Sequence, residues 1–230
     1  MRQIVLDTET TGLEPALGHR IVEIGCVELV NRRPSGNTLH HYLNPERDSD
    51  EAALEVHGLT RDFLADKPRF AAIAQELLDF VAGAEIIIHN APFDLAFLDA
   101  ELARCDLAPF RRHVSSVVDS LALAKERHPG KRNNLDALCD RYGISNAHRT
   151  LHGALLDGQL LAEVYLAMTR GQETLAVDAA GESAVGQLSA SGQLVAALVM
   201  SADPAESALH EGILAGIARE CKGQPVWSNG

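Results

Sequence analysis

The chain has 230 residues and a formal net charge of −12, with 20 Lys and Arg against 32 Asp and Glu. Its length fits one well-buried domain plus a smaller segment, and the lack of a long apolar run or a signal sequence predicts a cytoplasmic protein without membrane contact. Four scattered cysteines indicate neither a zinc knuckle nor a disulfide framework, and the acidic balance argues at first against a nucleic-acid partner.

Three strands are predicted at the start of the chain, in an antiparallel arrangement. They cover residues 2–6, 21–30 and 38–43, and the segment NRRPSGN is predicted to form the loop between the last two. A helix follows at 70–82, where large apolar residues repeat at helical spacing, and Gly83 is predicted to end it.

The rest of the first 170 residues alternates between helices and strands. The predicted order is a strand at 85–89, a helix at 93–105, a strand at 116–119, a helix that ends before Gly143, and a helix from about 152 to 169. This order predicts an α/β fold, in which a mixed sheet with an antiparallel edge is flanked by helices.

Composition changes near residue 170, and this change sets the predicted domain boundaries. Residues 1–170 form the folded domain, residues 171–192 are rich in Gly, Ala and Ser and predict a flexible linker, and residues 193–230 form a C-terminal segment. That segment contains a predicted strand, QLVAALVM, and a helix that begins at DPAE (203–206) with Asp as its N-cap. It is too small to bury itself well, so we expect it to dock on a partner.

The segment LDTETTG (6–12) places two acids after the first predicted strand. Strand alternation directs Asp7 and Glu9 to the same side of the backbone, where their mutual repulsion would be costly without a cation between them. A solvated strand end with local caps is the simpler explanation of an isolated pair. Further carboxylates are needed before a metal site becomes the better interpretation.

Two further motifs supply candidate residues. Asp94, in IIIHNAPFD, follows a buried strand, and sites in α/β sheets gather at the carboxyl ends of strands. In HGALLDG, five positions separate His152 from Asp157, so the two share a helix face only if His152 lies at or before the helix start. Beside a helix N-terminus, His152 would stay neutral and available as a general base. Taken singly, a first-turn acid and a capping histidine are the simpler interpretations.

Together, the three motifs resemble those of the DEDDh group of 3'-5' exonucleases, which have a ribonuclease H-like fold. The resemblance implies that two divalent ions, Mg²⁺ or Mn²⁺, are held by Asp7, Glu9, Asp94 and Asp157, and that His152 activates the attacking water. Two such ions would balance the charge of four carboxylates, and hard oxygen ligands are what these ions prefer. The acidic composition is therefore compatible with a nucleic-acid substrate.

The resemblance extends to a narrower family. The segments RQIVLDTETTG, EVHGLT, HNAPFD, PGKRNNLDALCDRY and RTLHGALLDGQLLAEVYLAMTRGQ are similar to those of the epsilon, proofreading subunits of bacterial DNA polymerase III. Membership implies a substrate with a single-stranded or frayed 3' end of DNA. It also implies that the terminal nucleotide is bound by Asp7, Glu9, Thr10, Leu13, Val56, His57, Phe93 and Asp157. Burial in the core is an equally simple explanation for Leu13, Val56 and Phe93.

Several charged residues beside these motifs have less specific roles. Asp119 is predicted to cap the helix that follows it, and not to bind metal. The basic residues Lys131 and Arg132, with Arg111 and Arg112, either contact phosphates or form a solvated face, and the solvated face is the more common case.

The family resemblance also implies roles for the C-terminal segments. QETLAV (172–177) resembles the motif that reaches the sliding clamp, although it lacks the terminal aromatic residue, and residues 193–230 resemble the segment that binds the polymerase subunit. A nuclease tethered beside a primer terminus would have a high effective concentration there, so it would not need a large DNA-binding surface. The same resemblance implies a nucleoid-associated replisome as the location, and it leaves the binding of a small accessory subunit open.

The leading interpretation is thus a proofreading 3'-5' DNA exonuclease that is tethered to the replicative polymerase and releases deoxynucleoside 5'-monophosphates. An RNA-trimming 3'-5' exoribonuclease of the same fold stays open, because the five catalytic residues do not read the sugar. A non-catalytic replisome adaptor is the third alternative, and the intact set of four acids and one histidine argues against it.

Overall fold

The computed structural model describes residues 1–147, 151–170 and 203–221. The chain divides into two compact units, Met1–Asp178 and Ala179–Gly230. The predicted linker, the QETLAV motif and the QLVAALVM strand lie outside the described residues. Among the helices that are described, none combines the length and the apolar character needed to cross a membrane.

The first unit is built on a five-stranded sheet. Its strands are β1 (Arg2–Thr10), β2 (Ile21–Val30), β3 (Arg33–Tyr42), β4 (Glu85–Ile88) and β5 (Ser116–Asp119). Their spatial order is β3-β2-β1-β4-β5. The first three strands pair antiparallel, whereas β4 pairs parallel to β1, and β5 pairs parallel to β4. The predicted mixed sheet with an antiparallel edge is therefore confirmed.

Helices cover both faces of this sheet. They are α1 (Glu51–His57), α2 (Arg61–Leu64), α3 (Phe70–Val81), α4 (Ala91–Arg104), α5 (Ser120–Arg127), α6 (Leu135–Tyr142) and α7 (Ala154–Met168). The predicted apolar stripe of α3 is buried in full: Phe70, Ile73, Ala74, Leu77, Leu78 and Val81. That stripe and α4 form one core with one face of the sheet, while α6 and α7 form a second core with the other face.

Alternation along β1 distributes its side chains between these two cores. Ile4 and Leu6 belong to the core of α3 and α4, whereas Val5 belongs to the core of α7. Successive residues of a strand point to opposite faces, so Asp7 and Glu9 continue on the side of Val5. The central strand thus directs both acids toward α7.

The predicted loop across NRRPSGN is wrong for most of its length. The turn between β2 and β3 is confined to Asn31 and Arg32, whose φ angles of 50° and 61° fit a tight two-residue hairpin. Strand β3 already begins at Arg33, and Pro34 lies opposite Leu29. A proline is tolerated there because β3 is an edge strand, which needs hydrogen-bond donors on one side only.

The predicted helix ends agree better with the structure than the predicted β2–β3 loop does. The Oδ1 atom of Asp119 accepts hydrogen bonds from the backbone N–H groups of Leu121 and Ala122, at 2.9 and 3.3 Å, so its predicted capping role is confirmed. Gly143 ends α6 with a φ of 67°. The short helices α1 and α2 were not predicted, because four to seven residues leave too few turns for a periodic pattern.

The described part of the second unit is a single helix, α8 (Pro204–Cys221). Its predicted N-cap is present: Asp203 Oδ1 accepts from the backbone N–H groups of Ala205 and Glu206, and Glu206 Oε2 accepts from that of Asp203. This reciprocal pair is a capping box. Leu209 and Ile213 of the predicted apolar stripe are 69% and 55% exposed within the chain.

Candidate active site

Asp7 and Glu9 lie inside β1, although the sequence predicted that they follow it. Antiparallel pairing with β2 continues through Thr10, which is why the strand is longer than the apolar run. Parallel pairing with β4, in contrast, ends at Val5 and Ile87. Beyond Val5 the central strand therefore extends past its parallel neighbour, and its carboxyl half is accessible to side chains from other elements.

The start of α7 lies directly against β2. A Cβ atom at Gly25, the residue opposite Asp7, would lie 2.4 Å from the carbonyl carbon of Ala154 and from the backbone nitrogen of Leu155. Only a residue without a side chain permits this approach. The close contact brings the first turn of α7, which carries Asp157, next to the acids of β1.

His152 precedes α7, because Gly153 is the N-cap of the helix. This placement meets the condition that the spacing of HGALLDG imposed. The Nδ1 atom of His152 lies 3.2 Å from Oδ2 of Asp157. The backbone N–H of His152 also donates to the carbonyl of Val56, at 3.1 Å, which ties the segment to the end of α1. The His152 ring is 44% exposed, whereas the Asp157 carboxylate is buried.

Asp94 reaches the same place from the first turn of α4. Its carboxylate is buried, and Oδ1 accepts a hydrogen bond of 2.7 Å from the hydroxyl of Thr8. Burial raises the pKa of Asp94 from 3.8 to about 7, although the Thr8 hydrogen bond opposes this shift. A buried carboxylate of this kind is stabilised in its charged form by a nearby cation.

All five residues of the three motifs line one pocket of about 270 Å³, which we call the acidic pocket: Asp7, Glu9, Asp94, His152 and Asp157. Ligand atoms of Glu9, His152 and Asp157 all lie within 4.8 Å of one another. The carboxylate oxygens fit hard divalent cations, and a separation of a few ångströms fits shared coordination. The donor set is thus suited to a divalent metal ion.

A second cleft of about 360 Å³ adjoins the acidic pocket, and we call it the apolar cleft. It contains the predicted nucleotide-binding residues Thr10, Leu13, Val56, His57 and Phe93. Leu13 is 79% exposed and Val56 is 44% exposed, so burial in the core is the wrong explanation for both. Thr8, Glu9 and Phe93 line both cavities, so the two cavities adjoin at these residues.

His57 forms the polar wall of the apolar cleft. Its ring is buried, and Nδ1 accepts a hydrogen bond of 2.9 Å from the backbone N–H of Leu59. Burial lowers the pKa of His57, and the backbone of Thr10 opposes the shift. The ring is therefore held in a fixed orientation and in its neutral form at neutral pH.

Sequence reasoning missed six further residues that line the acidic pocket: Thr8, His89, Asn134, Leu135, Asp136 and Leu161. Thr8 lies between the two recognised acids, but its role depends on Asp94, which is distant in sequence. Asn134 was recognisable only as a residue before a helix, and it does cap α6 by accepting from the N–H of Ala137. Contacts across elements, which periodicity does not report, bring these residues to the pocket.

Comparison with known proteins agrees with this geometry. A family model described as Exonuclease matches residues 4–165. The chain is 55% identical over 178 residues to the DNA polymerase III subunit epsilon of Haemophilus influenzae, which covers 76% of this chain and 70% of the relative. It is also 55% identical over 188 residues to that subunit of Escherichia coli K12, which covers 79% of this chain and 77% of the relative.

Solved structures support the fold. The structure of E. coli Exonuclease I in complex with a dT13 oligonucleotide superposes with a TM-score of 0.65 at 21% identity, covering 77% of this chain and 43% of that chain. This likeness concerns the fold, whereas the sequence matches identify the family. The chain belongs to the exonuclease family and, within it, to the epsilon subunits of DNA polymerase III.

Proposed function

We propose that this chain is the proofreading 3'-5' exonuclease subunit of a replicative DNA polymerase, which removes mispaired 3'-terminal nucleotides as deoxynucleoside 5'-monophosphates. The observation that carries the proposal is that the two cavities adjoin and share lining residues. The acidic pocket has the groups for phosphodiester hydrolysis, and the adjoining apolar cleft has the size and the exposed apolar side chains to bind one nucleotide.

We propose that two divalent ions, Mg²⁺ or Mn²⁺, are held by the four carboxylates of the acidic pocket: Asp7, Glu9, Asp94 and Asp157. When bound, such ions neutralise charge on the attacking and leaving oxygens of the phosphodiester. The burial of Asp94 supports this assignment, because burial raises the pKa of its carboxylate to about 7 and a bound cation would favour the charged form. Thr8 fixes the orientation of that carboxylate through its hydrogen bond.

We propose that His152 is the general base. Asp157 lies next to Nδ1 and orients the ring, as the carboxylate does in other histidine and aspartate pairs. The remaining ring nitrogen, Nε2, would take the proton of the attacking water as the bond to phosphorus forms. The partial exposure of the ring supports this role, since the base must reach a water that arrives from solvent.

The apolar cleft accounts for a preference for unpaired ends. Leu13, Val56 and Phe93 would pack against the base of the terminal nucleotide, which must leave its partner strand to enter. A mispaired end frays at a lower cost than a paired one, so it reaches the acidic pocket more often. Proofreading selectivity thus requires no recognition of the mismatch itself.

Partners of the C-terminal segment are part of the same proposal. We propose residues 1–170 as the nuclease domain, residues 171–192 as a linker with a clamp-binding motif at 172–177, and residues 193–230 as the polymerase-binding segment. The exposed side chains of Leu209 and Ile213 on α8 support an apolar contact with the polymerase. A subunit held in this way works in the cytoplasm at the nucleoid-associated replisome, where a small accessory subunit is a further partner to test.

The decisive experiment is a timed digestion of end-labelled primer templates, matched and mismatched at the 3' terminus. We expect cleavage that requires Mg²⁺, is faster at the mismatched end, and becomes faster when the polymerase subunit is added. Equal cleavage of both termini would contradict editing. No cleavage, together with retained polymerase binding, would favour the non-catalytic adaptor, and faster digestion of a matched RNA oligonucleotide would favour the exoribonuclease.

A further inference from the structure

The arrangement of the two cavities fixes the path of a bound strand. If the 3'-terminal nucleotide occupies the apolar cleft, the scissile phosphate lies in the acidic pocket, because Glu9 and Phe93 form the boundary between them. The nucleotides on the 5' side then leave the acidic pocket along a wall that it does not share with the apolar cleft. The start of α6, with Asn134, Leu135 and Asp136, is such a wall, because it lines the acidic pocket and not the apolar cleft.

The loop of residues 128–134, which joins α5 to α6, continues this wall, and we call it the α5–α6 loop. The side chains of Asn133 and Arg141 hold its backbone through hydrogen bonds. The buried amide of Asn133 donates to the carbonyls of His128 and Lys131, at 3.2 and 3.1 Å. Arg141 donates to Asn133 Oδ1 at 3.0 Å and to the carbonyl of Arg132 at 2.7 Å. An exposed loop braced in this manner presents its side chains in a fixed place.

Two of the exposed side chains of this loop are cationic. Lys131 and Arg132 are exposed, and in the part of the chain that the structure describes no carboxylate lies within 4.0 Å of either. Several cations elsewhere in the domain do lie beside acids: Arg2 beside Glu28, Arg20 beside Glu101, and Arg69 beside Glu46. In a chain with a net charge of −12, a loop with two exposed cations that form no ion pair with a described carboxylate is suited to bind an anion.

We propose that the α5–α6 loop binds the phosphates of single-stranded DNA on the 5' side of the scissile bond, through Lys131 and Arg132. The inference rests on the proposed function, because it takes the direction of the strand from it. Contacts of this kind hold the backbone without reading the base, which suits an enzyme that must remove any mispaired nucleotide.

The chain contains a matched control for this surface. Arg111 and Arg112 are also adjacent and exposed, and the sequence alone grouped them with Lys131 and Arg132. The structure separates the two pairs. His113, next to Arg112, accepts at its carbonyl from the N–H of Gly83, just before the amino end of β4. Arg111 and Arg112 thus lie near the amino end of β4, whereas the acidic pocket lies toward the carboxyl ends of the strands.

The experiment compares the wild-type protein with a Lys131→Ala, Arg132→Ala double variant and an Arg111→Ala, Arg112→Ala control variant. The two substrates are a thymidine dinucleotide, whose only phosphodiester is the scissile one, and a thymidine oligonucleotide of roughly a dozen residues. Digestion is measured with Mg²⁺ over a range of salt concentrations, and thermal melting checks the fold of each variant.

For the double variant we expect a KM about threefold to tenfold higher on the long substrate, an unchanged kcat, and no change on the dinucleotide. The slope of log KM against log salt should fall by about 0.7 for each lost phosphate contact. Equal KM values and salt slopes for the double variant and wild type would overturn the inference. So would an equal change in the control variant, because that result would indicate an effect of net charge alone.

A failure of the proposed function is recognised separately. In that case the wild-type protein itself would cleave neither substrate with Mg²⁺. An intact wild-type nuclease combined with an unaffected double variant would refute only the role of the α5–α6 loop.

Discussion

The acidic pocket and the apolar cleft share a wall but are built in opposite ways. The pocket assembles buried charged groups from β1, α4 and α7, and its carboxylates are oriented by neighbours such as Thr8. The cleft presents apolar side chains that are largely exposed, Leu13 above all. Chemistry needs groups held in fixed positions, whereas binding of any of four bases needs a surface that tolerates different shapes.

This difference predicts unequal effects of substitution, and the largest belongs to the acidic pocket. Asp7→Ala should lower Mg²⁺-dependent cleavage by about a thousandfold or more, because the remaining carboxylates would no longer hold both ions in the positions that the reaction needs. Polymerase binding should be unchanged. Cleavage assays with Asp79→Ala, which removes an exposed acid of α3, supply the control. Normal cleavage by the Asp7 variant would refute its role as a ligand.

His152→Ala tests the separation of base and ligand within the same pocket. We expect kcat to fall by about a hundredfold to ten-thousandfold, the range that a positioned general base contributes. Binding of Mn²⁺, measured by calorimetry, should be largely preserved. A marked loss of Mn²⁺ affinity would instead identify His152 as a ligand, which its distance to Glu9 and Asp157 permits.

The raised pKa of Asp94 predicts that the stability of the fold depends on pH. Its pKa is raised from 3.8 to about 7, so the folded protein holds this proton more tightly than the unfolded chain does. The free energy of unfolding therefore falls as the pH rises between these two values. In the metal-free state, Asp94→Asn should melt at a higher temperature than wild type at about pH 8 and at the same temperature at about pH 4.

Thermal melts with a chelator would measure this difference. A constant offset between the two proteins at every pH would contradict the assignment to Asp94. Addition of Mg²⁺ should stabilise the wild-type protein at about pH 8 and have a smaller effect on the variant, because the ion favours the charged carboxylate.

Leu151 tests whether the packing of the residue before His152 affects catalysis. Its side chain packs on Gly58, where an added Cβ would lie 2.6 Å from Leu151 Cδ1, and the next residue is His152. Leu151→Ala should make the position of the His152 ring less fixed and lower kcat about threefold to tenfold, with little change in KM. Leu17→Ala, at another exposed leucine that lines neither cavity, is the control. A change in KM alone would place Leu151 with substrate binding instead.

The smallest effect on turnover is expected in the apolar cleft. Leu13→Ala should raise KM about fivefold, with kcat and the melting temperature unchanged, because a side chain that is 79% exposed contributes to binding and little to folding. Kinetics on a mismatched primer would measure both constants. A loss of stability would show that Leu13 supports the fold after all.

The same comparison explains what the sequence could predict. The acids of the pocket stand in short motifs with fixed spacing, and the condition that His152 precede its helix followed from helix geometry alone. The stripe of α3 and the cap at Asp119 were equally accessible, because both depend on neighbours in sequence. Local patterns thus predicted much of the sheet and its helices.

What the sequence could not predict depends on contacts between distant elements. Helix α1, which carries Val56 and His57, is short and exposes Ala52, so it shows no apolar period. The reach of β1 beyond β4 follows from strand pairing, not from composition. The residues of the apolar cleft were accessible only through family resemblance, since an exposed leucine and a core leucine look the same in a sequence.

The contact between Gly25 and the start of α7 has a consequence for heredity. A single methyl group at position 25 would collide with the backbone of Ala154 and displace Asp157 from the acids of β1. No carboxylate would be altered, and α8 would be untouched. Under the proposed function, such a change would remove correction while leaving the proposed polymerase-binding segment intact, so a packing distance inside one subunit would help to set the rate at which a genome accumulates errors.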